Sequence, residues 1–518
     1  MTYCLPKPIK FFLLNLAAWL TITPTVVLFK IYKKIIHLIL EIKHGKSFGG
    51  MMDCSDAFFC LPGPSKCCIT VLLIVRSKKE IDLLNILRDI FKEKVFNHPD
   101  KFPKLTSTLH FCSGYPYWQK DDVKLDDAVR LLKLPENEIF TEECLKRVTG
   151  EITNSKNPKN DTILWDIHVS KHHLQGNFKD SHYRYPVVTR FHHSIGDGTA
   201  LMALLIQLLA EENCQNYSAE LLKKFTEKVP NQKYKTVWTI LKLYIHKTVK
   251  AILLYLEVIF ISLGKIGYYT RLAPIDVNAL HGTNYSGDKI AVWAAEEKPE
   301  CIPLVKKIKT HANSRFTPVL ATALSASLTK FFQRNSLPIP DCTSGLIAQL
   351  LDFSFAENSD TVKLDNKSAG AIFTLHSTHK FKTLMDALDQ VTKQMSSDMK
   401  LADGLINYFF LSKIFGNIPM KLLAPQMGLK AQTFLLTNVP GGSQIKMRNG
   451  CVIEKVIPFA PNVSDVGISF AVLTYDDRFH IGVLIDKSLK VPQSEVQKIA
   501  NDILYYIKLM YIESKKMV

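Results

Sequence analysis

Phe191-His192-His193-Ser194-Ile195-Gly196-Asp197-Gly198 sets paired histidines and an Asp-Gly step between a strand-like run and a helix-like run. Ahead of it, Tyr185-Pro186-Val187-Val188-Thr189-Arg190-Phe191 is β-branched and aromatic. That composition predicts an extended segment with Val187, Thr189, Phe191 and His193 on one face and His193 at the strand end. Behind it, Thr199 to Glu212 is rich in Ala, Leu and Met and lacks Gly and Pro. This predicts a largely buried helix opened by Asp197 or Gly198 near the N-cap. The turn therefore presents an imidazole with an ordinary pKa of about 6.5, suited to taking a proton from a hydroxyl. Asp197 can fix the turn by accepting backbone N–H bonds or by pairing with a cation. Paired histidines closing a strand and an Asp-Gly capping a helix also occur for structural reasons, so these residues alone leave both readings open.

The chain has 518 residues, enough for two lobes with a large core. Its composition is 47% hydrophobic and 22% charged, which excludes disordered and fibrous classes. The formal net charge of +17 favours an anionic partner: nucleic acid, an acidic membrane surface or a phosphate-bearing substrate. No zinc-finger spacing or RNP-type string is present, so no nucleic-acid partner is expected. Eleven cysteines without a CxxC pair argue for reduced thiols and against a metal site. In the cluster Cys54, Cys60, Cys67 and Cys68, ordinary burial is the expected state, with palmitoylation the alternative.

Phe11 to Phe29 is an uncharged apolar run of nineteen residues, just long enough to cross a bilayer. The lysines behind it, Lys30, Lys33, Lys34, Lys43 and Lys46, outnumber Lys7 and Lys10 in front, which places the bulk of the chain on the cytosolic side. Pro24 leaves a single-pass span and a re-entrant anchor both open. Gly45-Lys46-Ser47-Phe48-Gly49 spells GxSxG but follows a lysine-rich helical stretch in place of a strand, and reads as a flexible hinge. Lys223 to Lys235 is polar, and Ala251 to Ile261 is apolar but interrupted by Glu257, which predicts an interfacial or bundle-packed helix. Strands are expected at Cys68–Val75, Ile163–Val169, Lys289–Ala295, Ile468–Tyr475 and Phe479–Ile485, with Asp476-Asp477 as a hairpin tip. His172-His173 has no Asp-Gly behind it and reads as loop.

His192-His193-Ser194-Ile195-Gly196-Asp197-Gly198 matches the HHxxxDG signature of CoA-dependent acyltransferases built like chloramphenicol acetyltransferase. Met52-Asp53-Cys54-Ser55-Asp56-Ala57-Phe58-Phe59, the segments around Leu109 and Trp165, His281-Gly282-Thr283-Asn284 and Thr437-Asn438-Val439-Pro440-Gly441 extend the likeness from about Met51 to Met510. In these features the chain resembles the wax ester synthase/diacylglycerol acyltransferase family. The resemblance implies an α/β fold with mixed sheets: a two-lobed acyltransferase with an N-terminal membrane helix. It divides the chain into an anchor and hinge (1–50), an N-terminal lobe (51–225), an apolar crossover (226–279) and a C-terminal lobe (280–518).

It also implies an O-acyltransferase that moves a long-chain acyl group to a fatty alcohol or diacylglycerol, giving wax ester or triacylglycerol. In that reading His193 is the general base, Asp197 supports the turn, and His192, Gly198 and Asn438 belong to the motif or binding elements, Asn438 as an oxyanion-donor candidate. No bound cofactor or metal is implied; acyl-CoA is the co-substrate. The partners are acyl-CoA, a lipid alcohol or diacylglycerol, and a membrane. The endoplasmic reticulum with cytosol-facing lobes is the expected location, with plasma membrane or lipid droplet as alternatives. Many relatives carry Asn-Asp where this chain has Thr317-Pro318. That departure keeps a non-catalytic lipid- or protein-binding relative in view. His192 and Asp197 also satisfy the HxxxxD of glycerol-phosphate acyltransferases, and a soluble-alcohol acyltransferase of the plant natural-product kind is disfavoured because its D-F-G-W-G element is missing. Sequons at Asn160, Asn216, Asn284, Asn366 and Asn462 are expected to stay unglycosylated.

Overall fold

Fourteen strands are described in this computed structural model: β1 (Phe48–Met51), β2 (Cys68–Ser77), β3 (Thr108–Cys112), β4 (Tyr115–Gln119), β5 (Val129–Leu131), β6 (Trp165–Val169), β7 (Tyr183–His192), β8 (Lys289–Ala295), β9 (Cys342–Leu350), β10 (Ser368–His376), β11 (Phe434–Gly442), β12 (Val452–Phe459), β13 (Ile468–Tyr475) and β14 (Arg478–Asp486). The structure describes residues 6–517 apart from 64–65, 122, 135–138, 177, 179, 212–236, 272–276, 283, 351–361, 428–431 and 464–465. The polar stretch Lys223 to Lys235, the sequon at Asn216 and Thr283 of the glycine-containing loop lie outside the described residues.

The strands form a five-stranded sheet in the order β12-β2-β7-β6-β5, a six-stranded sheet β10-β9-β11-β13-β14-β8 and a small sheet β1-β4-β3. Both large sheets are mixed. In the first, β7 runs antiparallel to β2 and β6 while β5 and β6 run parallel. In the second, β11 lies parallel to both β9 and β13. The near-continuous apolar runs of β2 and β14 follow from burial on both faces. Asp476 and Asp477 adopt φ of 52° and 53°, the doubly left-handed conformation of a tight hairpin between β13 and β14.

The two sheets do not respect the division of the chain at 226–279. β12, from the second half, pairs antiparallel with β2 and completes the first sheet. There Arg184 of β7 pairs with Glu454 through Nε–Oε2 at 2.7 Å, and the Tyr475 hydroxyl donates to the Ile453 carbonyl at 2.9 Å. β14 presses so closely on β12 that a Cβ at Gly482 would lie 1.9 Å from the Pro458 carbonyl oxygen.

Lys7–His44 is a 38-residue helix that continues through Pro24. The expected hinge behind it is instead an ordered 3-10 turn, Gly45–Ser47, running straight into β1. The Ser47 hydroxyl donates to the His44 carbonyl at 2.9 Å, so the GxSxG string is turn and strand, not a nucleophile elbow. Asn366 and Asn462 are buried and hydrogen-bonded, which closes both sequons in the folded chain.

Behind the motif strand lies a buried charge cluster. Arg190 donates from Nε and Nη2 to Asp166 at 2.8 and 2.6 Å, and from Nη1 to the Ser155 carbonyl at 2.8 Å. Both side chains are fully buried. Burial alone would raise the Asp166 pKa, but the bonds from Arg190 and His168 hold it well below the carboxylate range. Removing one member leaves the other charge buried and uncompensated. Asp166→Ala should therefore cost about 3–5 kcal/mol, seen as a lowered denaturation midpoint in detergent, whereas an apolar Asp166/Arg190 double replacement should cost less.

Candidate active site

His193 stands one residue past the end of β7, where the strand turns into the helix Gly198–Leu209. Its backbone N–H donates to the Cys67 carbonyl at 2.8 Å, while that of His192 donates to Leu164 at 2.7 Å. Neighbouring strand-end segments thus fix both histidines. Asp197 is the N-cap: its Oδ1 accepts from the N–H groups of Thr199 and Ala200 at 3.1 and 3.0 Å. Its Oδ2 accepts from the Lys367 N–H at 3.0 Å. The carboxylate holds backbone donors, and Arg190 on the same strand serves Asp166 instead. Gly198 has no left-handed φ; its role is spacing, because a Cβ there would meet Val439 Cγ2 of β11 at 3.3 Å.

The two histidines have different environments. His192 is buried, its Nδ1 lies 2.7 Å from the Ser194 hydroxyl, and the Ser194 N–H donates to the same nitrogen at 3.3 Å. Burial and the neighbouring His193 push its pKa down to about 3, so it is neutral. This placement disfavours the HxxxxD reading, which needs His192 as the reacting group.

His193 is partly exposed, stacked on Phe59 with ring centroids 3.8 Å apart, and bonded through Nδ1 to Asn366 Oδ1 at 2.9 Å. The orientation of Asn366 follows from its other partners. Its Nδ2 donates to the His193 carbonyl at 2.7 Å and to Asp56 Oδ1 at 2.9 Å, which uses both amide hydrogens. The amide oxygen must then accept, so His193 carries its proton on Nδ1 and offers a lone pair at Nε2. Asp56 is held in turn by Lys104, whose Nζ donates to Asp56 Oδ2 at 2.6 Å, to the Ile195 carbonyl at 3.3 Å and to the Leu364 carbonyl. Burial raises the Asp56 pKa to about 6 against the opposing pull of Lys104. Burial likewise holds the His193 pKa below the ordinary imidazole value, opposed by the charge of Asp197 and the bond to Asn366. The ring is thus neutral near pH 7.

The site joins residues far apart in the chain: Asp56 and Phe59, Lys104, the 192–198 turn, and 364–367. In the sequence, Asp56 and Phe59 lie inside a family-like segment without a role, and Asn366 stands out only as a sequon. No motif marks Lys104 or Asn366. Asn438 is brought near but not into this group. It pairs across the sheet with Val472, whose side chain lies in the second core, whereas Val439 pairs with Leu473 in the first. Alternation along β11 therefore turns Asn438 to the face opposite Val439 and the motif turn. Its Oδ1 is buried without a hydrogen-bond partner among the described residues. Thr317 and Pro318 open the helix Phe316–Arg334 in the second lobe.

From His193 an aromatic series leads outward. Phe59 meets Phe58 (5.4 Å), Phe58 meets Phe415 (5.9 Å), Phe415 meets Phe410 (5.5 Å) and Phe410 meets Trp19 of the N-terminal helix (5.8 Å). Burial also pushes the Cys60 and Cys67 thiols up, so these cysteines near the site are poor nucleophiles.

Residues 365–506 match the family model described as the WS/DGAT C-terminal domain, a match that begins at the segment carrying Asn366. Two Arabidopsis thaliana proteins are similar: wax ester synthase/diacylglycerol acyltransferase 10, at 30% identity over 154 residues, and wax ester synthase/diacylglycerol acyltransferase 2, at 29% over 149. Each alignment covers 29% of this chain and 29% of the relative. Among solved structures, the wax ester synthase/diacylglycerol acyltransferase from Marinobacter aquaeolei VT8 superposes with a TM-score of 0.58 at 14% identity, over 90% of this chain and 100% of that one. A trichothecene 15-O-acetyltransferase from Fusarium sporotrichioides gives 0.56 at 12% identity, over 89% and 94%. The chain has the two-lobed fold of these acyltransferases, and its residues 365–506 match the C-terminal domain of the wax ester synthase/diacylglycerol acyltransferase family.

Proposed function

We propose that the protein is an acyl-CoA-dependent O-acyltransferase that moves a long-chain acyl group to a lipid-soluble alcohol, forming wax ester from a fatty alcohol or triacylglycerol from diacylglycerol. The observation that carries this reading is the His193–Asn366 bond, which leaves a neutral imidazole with a free Nε2 at the mouth of an aromatic series. Nε2 takes the alcohol proton as the oxygen attacks the thioester carbonyl, and the proton then passes to the departing CoA sulfur. Holding the alcohol and thioester together supplies much of the acceleration, and no covalent enzyme intermediate is required. Asp197 and Gly198 shape the turn, His192 buttresses it, and Asn366 positions the base. Asn438 stands outside the base machinery. No bound cofactor is needed; acyl-CoA enters as co-substrate.

The protein-facing part of this reading is an anchor at 1–50, lobes at 51–225 and 280–518 and a crossover at 226–279. The N-terminal helix is long and apolar enough to cross a membrane by length and composition. We place the protein on the endoplasmic reticulum membrane with its lobes in the cytosol, the lipid acceptor approaching along the series from Trp19 to Phe59.

The test offers labelled long-chain acyl-CoA to hexadecanol and diacylglycerol together, using membranes that contain the wild type or variants. His193→Ala should lose about 10²- to 10⁴-fold in turnover, while His192→Ala should retain more. Product from neither acceptor in the wild type would remove the enzyme reading in favour of a binding protein. Because burial lowers the His193 pKa, the acid limb of the wild-type rate profile should lie below pH 6.5. Asn366→Asp places a carboxylate at Nδ1, which stabilises the imidazolium. The acid limb should then move to higher pH, a shift that a residue with only a structural role would not produce.

A further inference from the structure

The N-terminal helix is packed along its whole length on one side. Phe11, Asn15, Val26, Ile36 and Leu40 are buried, at helical spacing, with Trp19 and Ile22 packed between them. On the other side Leu13, Leu20, Ile31, Ile35, Leu38 and Ile42 are between 48% and 86% exposed. Thirty-eight residues make a helix of about 57 Å, nearly twice a hydrocarbon core of about 30 Å. Its C-terminal half rests on the small sheet beside Tyr115 and Tyr117, and Lys33 Nζ donates to the carbonyls of Met52 (3.3 Å) and Gly416 (2.9 Å).

The N-terminal half packs on the helix that spans 237–271, whose π-type turn Val258–Ser262 leaves the Ile259 carbonyl to accept from Asn15 Nδ2 (2.6 Å) and Trp19 Nε1 (3.2 Å). A Cβ at Gly264 would lie 1.9 Å from the Phe11 carbonyl oxygen, so the two helices touch backbone to backbone. The second helix also carries an outward apolar stripe, Ile245, Val249, Leu253, Leu256 and Phe260, as does the helix Leu401–Phe409 with Leu401, Leu405 and Phe409. Inner sides of all three meet in one apolar cluster, and Lys265 pairs with Asp403 beside it.

Topology decides how these stripes meet lipid. Residues up to Leu209 and from β8 onward belong to the same globular body, so the helix at 237–271 leaves that body and returns to it. It is the apolar helix between them among the described residues, and the sequence at 212–236 carries no apolar run of spanning length. This helix cannot span, and the N-terminal helix, packed against it, shares its plane. Exposed Lys30, Lys34 and Lys250 flank the stripes.

We infer that helices 7–44, 237–271 and 401–409 form a platform that lies in the plane of one leaflet, with an anionic lipid surface as its occupant, so that the N-terminal helix does not cross the bilayer. The inference rests on the membrane association proposed above. It places Trp19, the outer end of the aromatic series, at the leaflet.

The full chain with an N-terminal acceptor-sequon tag, made in microsomes, should keep the tag unglycosylated and open to protease added outside. Purified full-length protein should float with phosphatidylcholine vesicles containing phosphatidylserine. Lys30→Ala and Lys34→Ala should each weaken that binding about fivefold, and Leu20→Arg should weaken it with or without phosphatidylserine. Flotation with a glycosylated, protected tag overturns the in-plane arrangement and leaves membrane association standing. Failure to float overturns both and assigns the surface to a protein partner.

Discussion

One amide governs the site. Asn366 spends both of its N–H bonds on acceptors, the His193 carbonyl and Asp56, so only its oxygen can face the imidazole. That single constraint sets the tautomer of His193 and with it the atom that can receive a proton. A carboxylate in the same place would bind the ring as firmly but would favour the imidazolium. The neutral amide orients the ring and raises its pKa only through the hydrogen bond, without a carboxylate's charge, and burial outweighs that pull and keeps the ring unprotonated.

Asn366 depends on the assembly of the whole molecule. It reaches the motif on a segment held by the Asp197 carboxylate at the Lys367 N–H and by Lys104 at the Leu364 carbonyl. Lys104 joins three parts of the chain through Asp56, Ile195 and Leu364, and its charge meets the Asp56 carboxylate in a buried setting. Such a pair adds little net stability, since desolvation opposes the attraction, but breaking it is costly. It therefore specifies one arrangement of the site more than it strengthens the fold. The exchange of β12 into the first sheet has a similar effect, because the two halves of the chain must fold together before that sheet is complete.

The apolar helices belong to the same logic. Phe59 covers one face of His193, and ring contacts continue from it to Trp19 on the N-terminal helix. Among the described residues, the helix with the most exposed large apolar side chains is thus joined by packed rings to the His193 imidazole. A flexible tether would not keep that relation, and the ordered turn at 45–47 leading into β1 provides none.

Local sequence carried the strand, turn and helix of the motif, because apolar periodicity and capping act over a few residues: β7, the Asp197 cap and the hairpin at Asp476-Asp477 were all legible. So was the apolar character of residues 11–29, and the family likeness that rests on short strings in a fixed order. Tertiary structure alone decided that Asn366 and not Asp197 touches the imidazole, that Asn438 turns to the opposite face of its strand, and that residues 45–51 are ordered. It also decided that the long N-terminal helix is buried along one side. The reason is common to all of these: each depends on what stands across a contact between distant segments. A chain read in order shows which groups are present but not which of them meet.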